Sequence, residues 1–77
     1  MPSREELERW KREDEEAKRI REERADWRFI ESQPEPLKTA LKILVEKGDL
    51  WLASKVAGLS VSEFNELRLK ARIPLVV

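Results

Sequence analysis

Residues 36–48 read PLKTALKILVEKG and decide the fold, because they carry the most complete helical pattern in the chain. Five apolar residues recur at the spacing that brings side chains to one face of an α-helix, namely Leu37, Ala40, Leu41, Leu44 and Val45. Pro36 suits the first turn of such a helix, and Gly48 suits the position just after its end. The stretch therefore predicts a helix with one face in the core and with Ile43 outside that face, where it either contacts the long helix or is exposed.

The following segment predicts two further helices. Asp49 can cap a short helix over residues 50–57, and Ser60 with Glu63 matches a capping box that opens a helix from Val61 to about Ala71. The inward stripe of this last helix is predicted to be Phe64, Leu67 and Ala71.

A helix, a turn at Gly58 and a second helix that crosses the first form the plan of a helix-turn-helix unit. Small or apolar residues occupy the positions where the two helices must meet, namely Ala53, Ala57, Leu59, Phe64 and Leu67. Three short helices in any small bundle can produce the same pattern. A generic helical hairpin therefore stays open as the alternative.

The chain closes with IPLVV at residues 73–77, which predicts a short β-strand. Pro74 has no backbone donor and suits a sheet edge. Since the sequence offers no second strand, we expect this edge to pair with another copy of the chain, giving a homodimer or larger assembly. The same edge could instead accept a strand from a different protein.

Residues 3–31 predict one long, charged helix that begins at a capping box of Ser3 and Glu6. A heptad register with Trp10 at position a gives a seam that charges interrupt, so two arrangements stay open. The helix either docks on the rest of the chain through Trp27, Phe29 and Ile30, or it pairs with another protomer or partner. Pro34 and Pro36 break the chain after it.

These segments predict an all-α fold in two parts. Residues 1–33 form a long N-terminal charged helix, an extension, and residues 34–77 form a three-helix, helix-turn-helix-like module with a short C-terminal β-strand.

The composition argues against catalysis. The 77 residues contain no His, Cys or Tyr, which removes the usual general base, the thiol nucleophile and the soft metal ligands. Neighbouring carboxylates such as Glu15 and Glu16 point about 100° apart on a helix and do not converge. We therefore expect no enzyme activity, no metal, no cofactor and no small-molecule substrate.

The composition and the apolar runs of the sequence also bear on the source organism and the cellular location of the protein. Charged residues make up 42% of the chain, and Asn, Gln and Met are scarce, a bias typical of proteins from thermophiles. No apolar run approaches the roughly 20 residues of a membrane span, and the first residues do not resemble a signal peptide. We expect a cytoplasmic protein without a membrane partner.

The stretch ASKVAGLSVSEF at residues 53–64, followed by IPLV at 73–76, resembles a family of short prokaryotic antitoxins and transcriptional regulators, the VapB-type antitoxins among them. The resemblance covers roughly residues 37–77. It implies a helix-turn-helix fold, DNA binding and a protein partner such as a PIN-domain nuclease toxin. Arg72 stands where that family has Gly before Ile-Pro.

Two sets of candidate binding residues follow. The candidate DNA contacts are Lys55, Ser62, Asn65, Arg68, Lys70 and Arg72, but Glu63 and Glu66 would repel phosphates, so we expect weak, salt-sensitive binding. The candidate partner or dimer interface comprises Trp10, Ile20, Trp51, Leu69, Ile73, Leu75 and Val77. The sequence thus predicts an antitoxin-like regulatory protein that binds a protein partner, with DNA as a second candidate ligand. The alternative is a structural adaptor or assembly subunit that uses its long helix and no nucleic acid.

Overall fold

The computed structural model describes residues 3–75, and this part of the chain folds into five helices. Helix α1 spans Arg4–Arg24, α2 spans Trp27–Ser32, α3 spans Leu37–Lys47, α4 spans Leu50–Ala57 and α5 spans Val61–Lys70. No β-strand forms between residues 3 and 75. The predicted all-α class is confirmed for the described residues.

The helices begin at the capping residues that the sequence indicates. The Ser3 hydroxyl accepts a hydrogen bond from the backbone N–H of Glu6, and the Glu6 carboxylate accepts one from the N–H of Ser3. Ser60 and Glu63 repeat this reciprocal arrangement at the start of α5. The Asp49 carboxylate accepts from the N–H of Leu52 at 3.0 Å and caps α4. The predicted caps are therefore confirmed. Helices α3 and α4 end at glycines in the left-handed region, Gly48 and Gly58.

The predicted long N-terminal helix is confirmed as α1, but it ends at Arg24 and not at residue 31, which corrects its C-terminal bound. The backbone of Ala25 is extended and ends α1. Asp26 then caps α2, because its carboxylate accepts from the N–H of Phe29 at 3.1 Å. The N–H of Asp26 also donates to the carbonyl of Ala71 at 2.7 Å. The break is thus fixed by a local cap and by the far end of α5.

Helix α3 lies at the centre of the packing. It contacts α1, α2 and α4, and α5 packs on α4. The predicted inward face of α3 is confirmed, with Leu37 half-buried at its edge and Ala40, Leu41, Leu44 and Val45 buried. The half-buried Ile43 also packs against the core. The remaining buried apolar side chains are Ala25, Ile30, Ala53, Ala57, Phe64, Ala71 and Ile73.

The strand predicted for residues 73–77 is not formed at residues 73–75, and residues 76 and 77 lie outside the described part of the chain. Ile73 is only 1% exposed and belongs to the core. Its N–H donates to the carbonyl of Arg68, and its own carbonyl accepts from Nη1 of Arg68 at 3.0 Å. These backbone groups are therefore used within the chain, because burying Ile73 folds the segment back onto α5.

The core crosses the boundary expected between residues 33 and 34. Ala25 and Ile30 come from the first segment and are buried with residues of α3 to α5. By contrast, every residue from 3 to 16 is exposed. Residues 3–16 therefore project from a compact helical body, and the longest dimension of the described protein is 43 Å. Among residues 3–75, no helix has the length and apolar character needed to cross a lipid bilayer.

Candidate functional site

The outward face of α5 is the surface that a helix-turn-helix protein would present to DNA. Ser62, Glu66 and Leu69 fall at i, i+4 and i+7 on this face, and all three are exposed. Glu63 is also exposed, and its carboxylate accepts the capping hydrogen bond from Ser60. Lys70 is the one basic residue on the exposed side of this helix, against two carboxylates. The face is therefore not electropositive.

Two of the six candidate DNA contacts are already engaged within the protein. Nε of Arg68 donates to Oδ1 of Asn65 at 2.8 Å, while Nη1 of the same guanidinium donates to the carbonyl of Ile73. Both side chains are half-buried. Arg68 and Asn65 thus anchor the segment after α5, and a phosphate would have to displace these bonds.

The other four candidate DNA contacts are exposed but dispersed. Lys55 lies on α4 with its ammonium 5.2 Å from the centre of the Trp51 ring, a cation–π distance. Ser62 and Lys70 lie on α5, and Arg72 lies just beyond its end. Arg72 has a φ of 57°, so it takes the left-handed conformation that glycine adopts most readily.

The candidate partner residues divide into exposed and buried groups. Trp51 and Leu69 are the most exposed large apolar side chains, at 61% and 59%, and Trp10 and Leu75 are exposed as well. Ile20 is half-buried. Ile73 is buried, which removes it from this surface and corrects its assignment. Val77 lies outside the described residues.

Sequence reasoning missed several exposed apolar side chains. Leu7, Leu52 and Val61 are exposed to an extent similar to that of Leu75. Trp27, a predicted docking residue, is 40% exposed, whereas Ile30 of the same set is buried. Leu52 lies next to Trp51 on α4, outside the Ala53 and Ala57 positions that face the core. The helical pattern of the sequence already indicates this, because Trp51 and Leu52 both fall outside the face that carries Ala53 and Ala57.

Sequence reasoning also missed Arg21, a buried basic residue at the junction of α1 and α3. Its Nε donates to the carbonyl of Val45 at 2.8 Å, and its side chain lies against Gly48. The guanidinium therefore satisfies a carbonyl at the end of α3, where a cation is favourable for the helix dipole. The sequence indicates the position of Arg21 only through its spacing, because it lies four residues after Ala17 and therefore on the same face of α1.

An ion pair lies beside Arg21 at the same junction. Nζ of Lys18 approaches the Glu46 carboxylate to 3.1 Å and that of Glu22 to 3.8 Å. The hydrogen bond and charge of Glu46 raise the pKa of Lys18 above its ordinary value. The ammonium therefore stays protonated, and α1 presents positive charge to α3 here.

An open cleft of about 420 Å³ lies where α1 passes the end of α3. One side of the cleft is lined by residues of α1 between Lys11 and Arg21, and the other side is lined by Glu46, Lys47 and Gly48 at the end of α3. The lining is of mixed charge. Within residues 3–75 no three carboxylates come together in a way that could hold a metal ion.

Comparisons with known protein families, curated proteins and solved structures gave no match for this chain. The resemblance to VapB-type antitoxins therefore remains a hypothesis that rests on the residues quoted above.

Proposed function

We propose that this protein is a binding module for another protein, in which a small helical body presents apolar side chains on its surface. One observation carries the proposal. All three tryptophans, Trp10, Trp27 and Trp51, are at least 40% exposed, while the core is built around Phe64. Tryptophan is enriched at the centres of protein interfaces and costs free energy when it is left in water. Its placement on three helices is accounted for by burial against a partner.

The charges of α5 favour a protein partner over DNA. Specific DNA binding uses basic side chains directed at the phosphates and at base edges. Here Glu63 and Glu66 lie on the outward face with Lys70, and Arg68 is engaged with Asn65 and Ile73. A helix presented to the groove in this way would meet repulsion from the phosphates.

A DNA-binding regulator of the antitoxin type is the second candidate. It is supported by the arrangement of α4 and α5, which are joined at Gly58 and pack together. Ala53, Ala57 and Phe64 are buried at positions that a helix-turn-helix unit requires. Under this reading, binding would come from phosphate contacts by Lys55, Lys70 and Arg72.

Site-specific photocrosslinking in the source cells tests the first candidate. A photoreactive amino acid is placed at Trp10, Trp27 or Trp51, and at Arg19 as an exposed charged control. We expect the same protein partner to be crosslinked from one or more tryptophan positions and not from Arg19. Equal crosslinking from Arg19, or no protein adduct from any tryptophan position, would contradict the proposal.

A titration with duplex DNA tests the second candidate. We expect weak binding to mixed-sequence duplex at low salt that disappears near physiological ionic strength, because only phosphate contacts contribute. Tight, sequence-specific binding that survives physiological salt would instead establish the regulator.

A further inference from the structure

The projecting half of α1 carries a short apolar stripe, Leu7 and Trp10, on the same face that docks on α3, and the charged Asp14 separates this stripe from the docked part. Leu7, Trp10 and Asp14 are followed at the same alternating spacing by Ala17 and Arg21. Ala17 is half-buried and Arg21 is buried against the end of α3. This burial sets a heptad register with Leu7 at position a and Trp10 at position d, which replaces the register expected from the sequence. The face covered by α3 thus continues, uncovered, along residues 3–16.

Two rows of opposite charge flank this stripe. Arg4 and Lys11 occupy the e positions on one side, and Glu6 and Glu13 occupy the g positions on the other. Residues at e and g face the neighbouring helix in a two-helix packing and set its identity and direction. We call these the basic row and the acidic row.

The structure shows how the basic row is used where a helix already covers it. Lys18 is the next e position, and it pairs with Glu46 of α3 at 3.1 Å. Lys18 contacts Glu46 and Arg21 contacts Val45, so α3 runs antiparallel to α1. A helix that continued α3 along α1 would meet Lys11 and Arg4 in the same way.

A second copy of α1 does not fit this face. In a parallel pair the copy would enter, beyond residue 16, the space that α3 occupies against Ala17 and Arg21. In an antiparallel pair, e positions face e positions and g positions face g positions. Arg4 would then face Lys11 of the other copy, and Glu6 would face Glu13. Sterics exclude the first arrangement, and like charges oppose the second.

We propose that residues 3–16 bind an amphipathic helix of a different protein, which lies antiparallel to α1 and in line with α3. This helix covers Leu7 and Trp10 with its apolar stripe. It places acidic residues against the basic row and basic residues against the acidic row. Its near end rests at the cleft beside Glu46 and Lys47. The inference rests on the proposed protein-binding function and specifies the chemistry of the partner.

Two synthetic peptides of identical composition and about three heptads test this directly. Both carry Leu at a and d. Peptide A has Glu at every e and Lys at every g, and peptide B has the two exchanged. Peptide A matches α1 in the antiparallel direction only, and peptide B matches it in the parallel direction only. Bound antiparallel, peptide A brings its N-terminus to the C-terminal end of α3, where the two helix dipoles align, whereas peptide B bound parallel brings its C-terminus there. We therefore expect the full-length protein to bind peptide A about threefold to fivefold more tightly in fluorescence anisotropy titrations.

Variants of the full-length protein assign the binding to the stripe and its rows. Trp10→Ser is expected to weaken binding of peptide A by about tenfold or more. Arg12→Ser is the matched control, since Arg12 is exposed on the opposite side of α1 and should leave binding unchanged. Exchanging the charges with Lys11→Glu and Glu13→Lys should reduce the preference for peptide A over peptide B.

Three results would overturn the inference. These are equal or tighter binding of peptide B, no binding of either peptide near millimolar concentration, and a dimer of the protein alone in sedimentation that Trp10→Ser dissociates. Crosslinks from the positions of Trp27 and Trp51 test the broader protein-binding proposal separately, so the two can fail independently.

Discussion

The guanidinium of Arg21 fills the space beside Gly48 that a side chain would need. A Cβ at position 48 would lie 2.8 Å from Nη1 and 2.9 Å from Cζ of Arg21. Gly48 also has a φ of 69°, a conformation that other residues adopt only at a cost. The end of α3 therefore requires glycine for two reasons, and the first, the contact with Arg21, depends on α1.

Gly48→Ala and Gly58→Ala form a matched pair that separates these two reasons. Gly58 has a φ of 72°, with no atom within 4 Å of the position its Cβ would take. We expect Gly58→Ala to lower the free energy of unfolding by about 1 kcal/mol, since left-handed backbone costs a residue with a side chain about 1–2 kcal/mol and a stiffer unfolded chain offsets part of that. Gly48→Ala should lower the free energy of unfolding by about 2 kcal/mol more than Gly58→Ala does, because the hydrogen bonds of the Arg21 guanidinium are displaced. Urea titrations measure both values.

The control for this pair is the background Arg21→Met, which keeps most of the buried stem and removes the guanidinium. In that background the two glycine substitutions should have similar effects, because only the shared backbone strain remains. If Gly48→Ala stayed more destabilising there, the contact with Arg21 would not be the cause.

Removal of residues 1–16 should leave the folded body intact. All described residues of that segment are exposed, whereas Arg21 and Ala25 lie in the body. We expect the midpoint of thermal unfolding to change by only a few degrees, roughly the effect of less than 1 kcal/mol in a domain of this size. Circular dichroism provides the measurement.

A longer truncation gives the comparison. A chain without residues 1–25 lacks Arg21 at the end of α3 and Ala25 in the core, and it should unfold at a clearly lower temperature. Unfolding caused already by loss of residues 1–16 would show that the projecting segment supports the body.

Arg72→Gly should stabilise the protein. Arg72 is exposed and has a φ of 57°, and glycine relieves backbone strain of about 1–2 kcal/mol there. The greater freedom of glycine in the unfolded chain removes about 0.5–1 kcal/mol of that gain. Chemical denaturation should therefore show a net increase of about 0.5–1 kcal/mol. Arg72→Ala keeps the strained conformation and should show no such gain; equal stability of the two variants would refute the interpretation.

Glu35→Gln should weaken the dependence of stability on acidic pH. Glu35 accepts a hydrogen bond from the hydroxyl of Thr39, which holds the pKa of its carboxyl below the ordinary value of 4.5. Because the pKa of Glu35 is lower in the folded protein than in the unfolded chain, its ionised carboxylate stabilises the fold at pH values above the unfolded pKa. This stabilisation is lost as the pH falls through the pKa of the folded state. The wild-type protein should therefore lose more thermal stability than Glu35→Gln between about pH 5 and pH 3. Parallel loss in both proteins would argue against a role for this carboxylate.

Local signals in the sequence determined where α1, α3, α4 and α5 begin, where α3 and α4 end and which face of α3 is inward. Capping by Ser3, Asp49 and Ser60, and the glycine at position 48, act over three to four residues. Such interactions are complete within one turn of chain and need no tertiary partner. The candidate apolar residues Trp51 and Leu69 could be identified as exposed for a similar reason, because each lies off the inward stripe of its own helix. Trp10 lies on the docking face of α1 and is exposed because α3 does not extend that far.

Only the tertiary structure decided the features that join distant segments. The break at Asp26 is held by Ala71, the end of α3 is completed by Arg21, and Ile73 is buried instead of lying in an exposed strand. A β-prone run forms a strand only when a partner pairs with it, and here burying Ile73 and bonding its backbone to Arg68 removes that option. The tertiary structure likewise decided which face of α1 is uncovered. The sequence alone allowed more than one heptad register for α1, and the packing of α3 against Ala17 and Arg21 selects one of them.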